Sequence, residues 1–354
     1  MPDEEGIALG LDTFGDVSMG PEGVLVSDAQ ALRDVVEEGV LADQVGVDHF
    51  ALGEHHREDM PASAPDVVLS AIASRTERIK VGSAVTVLSS DDPVRVFERY
   101  STLNAISDGR ADVILGRGST IETFPLFGYD LDDYELLFEE KLDLFVRLLE
   151  GPRVTWSGSA RPSLDDLPIV PRPEGGTLST WVGVGGSLGS VDRAARHGLP
   201  LMLAIIGGPP ARFAPLAERH RSELERLGHP PRPIGVHSPG HVAASDREAR
   251  DQFWPHYAEV MGRVGAERGF PPPTKQSYVQ EIGPAGALYV GAPETVARKI
   301  VANLRTLGAV RFDLKYGMGD LSHDSLMRGI ELYGSRVVPL VKEMMTLDRE
   351  VLAQ

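Results

Sequence analysis

Cysteine is absent from the 354-residue chain. Disulfides, thiolate metal sites and a cysteine nucleophile are excluded with it. No run of about 18 apolar residues occurs, so no membrane-spanning helix is expected. The opening MPDEEGIALG is acidic and lacks a long apolar stretch, unlike a secretory signal. Basic clusters are missing too: net charge is −17 and the pI is near 5.0. Binding a phosphate backbone needs a concentrated basic surface, so a nucleic-acid partner is not expected. The HExxH zinc motif, a phosphate loop ending in GK[ST] and the GxSxG nucleophile elbow do not occur. These absences leave a cytoplasmic protein without nucleic-acid or membrane partners as the expectation.

What is present is enough apolar material for a large core, at 42% hydrophobic and 25% charged residues. Short apolar runs alternate with longer amphipathic segments. Strands are expected at 7–11, 48–53, 79–88, 111–116, 181–184, 199–206, 234–242 and 310–315, the seventh weakened by Pro239 and Gly240. Helices are expected at 28–44 with Ser27 as N-cap, and at 66–74, 93–106, 132–149, 187–197, 210–227, 247–264, 294–307 and 324–345. Two stretches break the rhythm: 151–178, which carries five prolines and a short hairpin near Thr155-Trp156, and 265–290. Strand–helix alternation implies a parallel sheet, and eight such units imply closure. The fold class expected is α/β, a (β/α)8 barrel with insertions at its C-terminal face. No shift in composition divides the chain, so residues 1–354 are expected to form one domain.

In such barrels the active site lies where the strands end. The second strand ends in Gly53-Glu54-His55-His56. Side chains alternate along a strand, which sends Phe50 and Leu52 toward the helices and Ala51, Gly53 and His55 toward the mouth. His55 there suits a general base or hydrogen-bond partner; a strand cap and a solvated neighbour explain the pair equally well. The fourth strand ends in Gly116-Arg117-Gly118-Ser119. Its guanidinium suits a phosphate or ring oxygen, or a carboxylate on the rim. The fifth strand runs through Gly183, Gly185, Gly186 and Ser187 to Ser190 at a helix start, a setting for a phosphate or for an ordinary capped turn. Leu188 breaks the dinucleotide GxGxxG pattern. His237 and His241 are separated by Pro239-Gly240, so they share no helix face and no metal pair is expected.

Taken together these segments are familiar. Gly46-Val47-Asp48 with Glu54-His55-His56, 81–88 followed by Asp92-Pro93-Val94-Arg95, 103–110, Gly116-Arg117-Gly118, Ser187 with 194–200, and Gly291-Ala292-Pro293-Glu294 resemble the bacterial luciferase-like flavin-dependent monooxygenases. The likeness covers nearly the whole chain and is strongest over 44–130 and 181–208. It implies a non-proline cis peptide bond at Ala84–Val85 whose bulge packs on a flavin. It also implies a carboxylate near the flavin at Glu98, Arg117 and Gly118 beside the flavin phosphate and ring, a phosphate loop at Gly185, Gly186, Ser187 and Ser190, and proton transfer by His55. Two positions depart from the pattern. The segment Asp132-Asp133-Tyr134-Glu135 lacks the family's additional phosphate-binding arginine, and Gly116 stands where luciferase has a reactive cysteine.

The resemblance implies reduced FMN, supplied by a separate flavin reductase, that reacts with O2 to oxidise a small organic substrate in a homodimer. Residues 117–131, 151–178 and 265–290 are expected to supply a water-excluding cover. Competing readings are a deazaflavin-dependent hydride-transfer enzyme on the same fold, a non-catalytic flavin-binding protein and a metal-dependent hydrolase.

Overall fold

The computed structural model describes residues 6–118 and 122–352; Ser119 of the expected rim motif lies outside them. Eight parallel strands form a closed barrel: Ala8–Thr13, His49–Leu52, Lys80–Ser83 continued by Thr86–Val87, Ala111–Gly116, Ser179–Val184, Leu201–Ala204, Ile234–Val242 and Arg311–Lys315. The first strand pairs with the eighth and the seventh with the sixth, which completes the ring.

Alternation sorts the side chains. Leu9, Leu11, Phe50, Leu52, Val113, Leu115, Phe312 and Leu314 join the outer core between barrel and helices. Ile114, Trp181 and Met202 form a separate cluster inside the barrel, with Ala84 and Val85 packed on it. The eighth strand carries charge on its other face: Arg311, Asp313 and Lys315 are all buried. Arg311 lies against the Trp181 ring, 5.3 Å from its centroid, and donates from Nε to Asp313 at 3.0 Å and from Nη1 to Asp112 at 2.5 Å. A guanidinium is tolerated at this depth because two carboxylates balance its charge and accept from its Nε and Nη1.

Several expected elements are redrawn. The third strand does not run unbroken over 79–88; it is interrupted at Ala84–Val85, where the peptide bond is cis. The first strand extends to Thr13, which brings Asp12 into the barrel. The last helical stretch is His323–Leu332 and Val338–Leu352 joined by a π-helical turn, Tyr333–Val337. Gly334 sits in that turn, where a Cβ would lie 2.3 Å from Val45. The stretch 265–290 is not irregular throughout. The helix Asp246–Arg268 runs into it, Lys275–Ile282 is a helix closed by a Thr274/Ser277 capping box, and Tyr289–Gly291 adds a strand beside Gly240–Val242. Pro239 and Gly240 fall where the seventh strand changes partner from Lys315 to Tyr289. A Cβ on Gly240 would lie 2.2 Å from the Tyr289 carbonyl oxygen.

The 151–178 stretch contains the expected hairpin, Arg153–Trp156 against Leu164–Pro168. It leaves the helix Tyr134–Glu150 and packs back on it: the Trp156 indole donates to Asp143 at 2.9 Å and the Ser159 hydroxyl to Glu140 at 2.8 Å.

Candidate active site

At the C-terminal ends of the strands a cavity of about 470 Å³ opens. It is lined by His55, Ala84, Val85, Arg117, Gly118, Gly185, Ser187 and Ser190, so the topology brings most of the predicted positions together. Glu98 is not among them. It sits on the helix Pro93–Ile106, whose Val96, Phe97 and Tyr100 are buried while Glu98 is half-exposed. The helix turns that carboxylate away from the cavity, and the carboxylate lining this part of the cavity is Glu54. Gly186 joins Gly185 to Ser187 at φ +127, a conformation that favours glycine. A larger hollow of 650 Å³ at the opposite end, beside Asp48, His49 and Lys342, holds none of these residues.

One wall is the interrupted third strand. Val85 fits between the fourth and fifth strands because both present glycine there: a Cβ on Gly116 would lie 2.5 Å from its Cγ2, and one on Gly183 2.9 Å from its Cγ1. Glu54 fastens this segment. Its backbone N–H donates to the Val85 carbonyl at 3.0 Å, and its carboxylate accepts from the Val87 N–H at 2.8 Å.

The next wall is the start of the helix Leu188–Arg196. Its N-cap Ser187 makes no side-chain capping bond. The Ser190 hydroxyl is buried, lines the cavity and has no hydrogen-bond partner. Leaving such a donor unpaired is costly, and free N–H groups of a first helical turn attract anions. Arg117 pairs with Glu135 and lies 5.0 Å from the Tyr134 ring centroid, so the rim ion pair and the cavity position hold together. Glu135 also accepts from Arg193 at 2.9 Å. The segment without arginine thus gathers two arginines from outside it. Arg193 keeps one buried guanidinium nitrogen, Nη1, unpartnered.

His55 lies against Phe14, with ring centroids 4.7 Å apart, and its Nδ1 is 3.5 Å from the Glu122 carboxylate. His56 does not line the cavity. It bonds Glu54 at 3.1 Å and meets Phe127 edge-on.

Asp12 and His237 were not anticipated in the lining. Asp12, His237, Asp313 and Lys315 form the floor. His237 Nδ1 is 2.7 Å from Asp12 Oδ2, and Lys315 is 3.2 Å from Asp16. Burial pushes the His237 imidazolium down, but the charge and hydrogen bond of Asp12, with Asp313 beyond, leave it above its ordinary range. Burial raises the Asp313 carboxyl to about 6, with Arg311 opposing and Asp12 and Asp112 adding to the rise. The signal was present in the alternation: a strand reading Arg-Phe-Asp-Leu-Lys with apolar residues outward must aim its charges into the barrel. His241 turns elsewhere, to Gln252 at 2.8 Å. Among the described residues no cluster of three His, Asp or Glu side chains is arranged to hold a metal ion.

The cover comes from the helix Asp246–Arg268, which supplies Val260, Met261, Arg263 and Val264. It is tied to the second strand's loop by Arg57–Glu267 at 3.4 Å and by Arg263–Asp59, while Arg57 and Asp59 pair with each other within the loop at 3.0 Å. Of the expected cover segments, 151–178 contributes nothing to the lining and 265–290 contributes Glu267.

The family model of the luciferase-like monooxygenases matches residues 13–311. The chain belongs to this family. It is accordingly an oxidoreductase. Among curated relatives, the limonene 1,2-monooxygenase of Rhodococcus erythropolis is 34% identical over 150 residues, covering 41% of this chain and 39% of that protein. The FMN complex of the oxygenating constituent of 3,6-diketocamphane monooxygenase from Pseudomonas putida superposes with a TM-score of 0.74 at 18% identity, over 95% of this chain and 99% of that one. The F420-dependent tetrahydromethanopterin reductase of Methanopyrus kandleri superposes with a TM-score of 0.71 at 17% identity, again over 95% and 99%. At these identities the superpositions speak for the shared barrel. Members of the wider fold thus use FMN or a deazaflavin, and no helix here is long and apolar enough to cross a membrane among the described residues.

Proposed function

We propose that this protein is a monooxygenase that holds reduced FMN in the C-terminal cavity and uses O2 to oxidise a small organic substrate. The observation that carries the reading is the buried, unpartnered Ser190 hydroxyl on the first turn of a helix that opens into the cavity beside Arg117. That donor set suits one phosphate group. Ser187, Ser190, the free N–H groups after Gly186 and Arg117 would hold it, with Gly118 close by. Ala84, Val85 and Val87 would lie along the isoalloxazine face. Bound reduced flavin supplies the oxygen chemistry. The chain's own part is to orient and to exclude water, through Val260, Met261, Val264 and Met318 in the lining, and to move a proton at His55 beside Glu122.

FMN is preferred to a deazaflavin because every lysine and arginine lining the cavity is already paired. Arg57 and Arg263 meet Asp59, Arg117 meets Glu135 and Lys315 meets Asp16, which leaves little positive charge for a longer anionic tail. The reduced cofactor would come from a separate flavin reductase, and the protein would act in the cytoplasm as a homodimer of single-domain subunits.

Equilibrium binding of oxidised and reduced FMN and of a reduced deazaflavin tests this, with wild type, Arg117→Ala and Ser190→Ala. Each side chain offers a charge-assisted hydrogen bond, so each loss should weaken FMN roughly tenfold or more. Tighter binding of the deazaflavin would move the assignment to hydride transfer. Binding of neither would remove the flavin reading.

A further inference from the structure

The hollow at the N-terminal end of the barrel runs against the charge of the chain. The chain has 35 basic and 52 acidic side chains, yet this hollow of about 650 Å³ is lined by Arg78, Lys80 and Lys342 against one carboxylate, Asp48. Both oxygens of that carboxylate are engaged: Oδ1 accepts from Lys342 at 2.8 Å and Oδ2 from the Leu9 N–H at 2.8 Å. Arg78 donates to the Asp43 backbone carbonyl at 2.7 Å and forms no ion pair among the described residues. The Asp43 carboxylate is itself taken up by the backbone N–H groups of Arg78 and Ile79, at 3.0 and 2.8 Å.

His49 forms the inner wall of the hollow. It opens the second strand, and with Phe50 and Leu52 turned to the helices its side chain points into the barrel. Gly10 stands opposite in register, and a Cβ there would lie 2.9 Å from the His49 Cβ, so the first strand leaves the imidazole its room. Lys80 is the register partner on the other side. The His49 side chain is only 9% exposed, and its Nδ1 is sealed without a hydrogen bond, 3.6 Å from Asp112, a carboxylate already held by Arg311. Nε2 is the nitrogen that the protein does not seal, and it has no partner either. Burial, then the charges of Arg311 and Lys80, hold the imidazole well below its ordinary range. The ring is therefore neutral, and the same charges make its surroundings attractive to an anion.

We infer that this hollow is a second ligand site, remote from the C-terminal cavity, and that it takes a small phosphate monoester. Arg78, Lys80 and Lys342 reach it from the turn before the third strand, from that strand and from the last helix, and together they suit the several oxygens of one phosphate. His49 meets the phosphate from the inner wall. A neutral imidazole offers Nε2 as a donor in one tautomer and an acceptor in the other. A phosphate monoester satisfies both, since it carries acceptor oxygens and, as the monoanion, an O–H; a carboxylate satisfies only the first. Ile7, Val47 and Met345 line the same hollow and give the organic part an apolar surface, and the volume is that of a small-molecule site. A metal cation would be repelled by the three basic side chains, with the one lining carboxylate already engaged. A wholly apolar ligand would strip water from charged groups and return nothing. None of these residues lines the C-terminal cavity, so the inference stands apart from the flavin reading.

Phenyl phosphate is titrated calorimetrically into a protein carrying Arg117→Ala and Ser190→Ala, which removes the phosphate seat at the other end, and into the same background with Arg78→Gln or Lys80→Gln. Both of these side chains are exposed, and thermal denaturation checks that folding is kept. One site per chain is expected, and each glutamine should weaken it about fivefold or more, the worth of one charge-assisted hydrogen bond at a solvated position. Arg147→Gln, an exposed cation on the helix Tyr134–Glu150, should leave binding unchanged. In histidine-labelled protein the His49 ring nitrogen resonances, assigned with His49→Gln, should move on adding phenyl phosphate and stay put with phenol. Benzoate and inorganic phosphate should each bind more weakly than phenyl phosphate. Failure of phenyl phosphate to bind, undiminished affinity in Arg78→Gln and Lys80→Gln, or unmoved His49 resonances overturns the inference. So does an equal loss in Arg147→Gln, the mark of attraction to charge alone, or benzoate or inorganic phosphate binding as tightly as phenyl phosphate. FMN binding to wild type reads the C-terminal cavity separately, so each reading can fail with the other intact.

Discussion

Adding one methyl group at Gly116 should test how the Val85 wall of the cavity is held. A Cβ there would lie 2.5 Å from Val85 Cγ2, 3.0 Å from its Cβ and 3.2 Å from its Cγ1. Valine is stiff about χ1, so rotation does not clear the contact. Retreat is blocked on the other side, where Gly183 already comes close and a Cβ would stand 2.9 Å from Cγ1. Gly116 is not in the left-handed region, so alanine adds no backbone strain. Overpacking costs about 1–3 kcal/mol, and the lower freedom of alanine in the unfolded chain returns about 0.4–1 kcal/mol. Gly116→Ala should therefore be less stable by about 1–2 kcal/mol, a fall of about 1–3 °C in Tm for a chain of this length. In a Val85→Ala background the contact is gone, and the same substitution should be neutral or mildly stabilising. Urea denaturation of the four proteins gives the coupling directly. Displaced Val85 has only the cavity to move into, so FMN binding should weaken in Gly116→Ala. Equal cost of Gly116→Ala in both backgrounds would refute the reasoning.

Two further outcomes follow from the buried charges. Arg311→Met leaves Asp112 and Asp313 facing each other without their cation, and should cost about 3–5 kcal/mol at neutral pH by chemical denaturation; a variant as stable as wild type would show that the barrel interior is wetter than described. Burial lowers the Lys141 ammonium to about 8, with Asp91 and Asp92 opposing. The unfolded chain then binds more protons between pH 8 and the usual lysine value, so this group makes stability rise with pH across that window. Denaturation midpoints at closely spaced pH values should show a shallower rise in Lys141→Met than in wild type, and an unchanged slope would count against the shift.

The barrel was legible because its two periodicities are strong, and the site because closure of a barrel says where to look. His55, Arg117 and Ser190 were found by reading off strand ends, and the cavity contains all three. Glu98 failed because a residue matched by position along a helix still has to lie on the right face, and that is decided by Val96, Phe97 and Tyr100 filling the inner side. His237 was weighed against His241, four residues away on the same strand, when its partner Asp12 is more than two hundred residues distant. Such pairing belongs to the closed ring and to no local window. The covering helix was hidden for a related reason: its lining residues Val260, Met261 and Val264 look like ordinary helix core until the excursion is folded over the mouth.

That excursion leaves and rejoins the barrel at neighbouring points. Val242 pairs in register with Gly291, the Ala243 N–H donates to the Gly291 carbonyl at 3.3 Å, and Asp246 accepts from Ala292 at 2.7 Å and from Thr295 at 3.1 Å. Adjacent parallel strands are only about 5 Å apart. Everything between these junctions is therefore a loop in the topological sense, with its ends already clasped, and its removal or replacement opens no gap in the ring. A segment grafted between 243 and 292 would give the barrel a new roof while leaving the glycine-lined seat of Val85 and the Ser190 turn as they are. Diversification of such an enzyme can proceed by exchanging one cassette, because the junction was built to be cut.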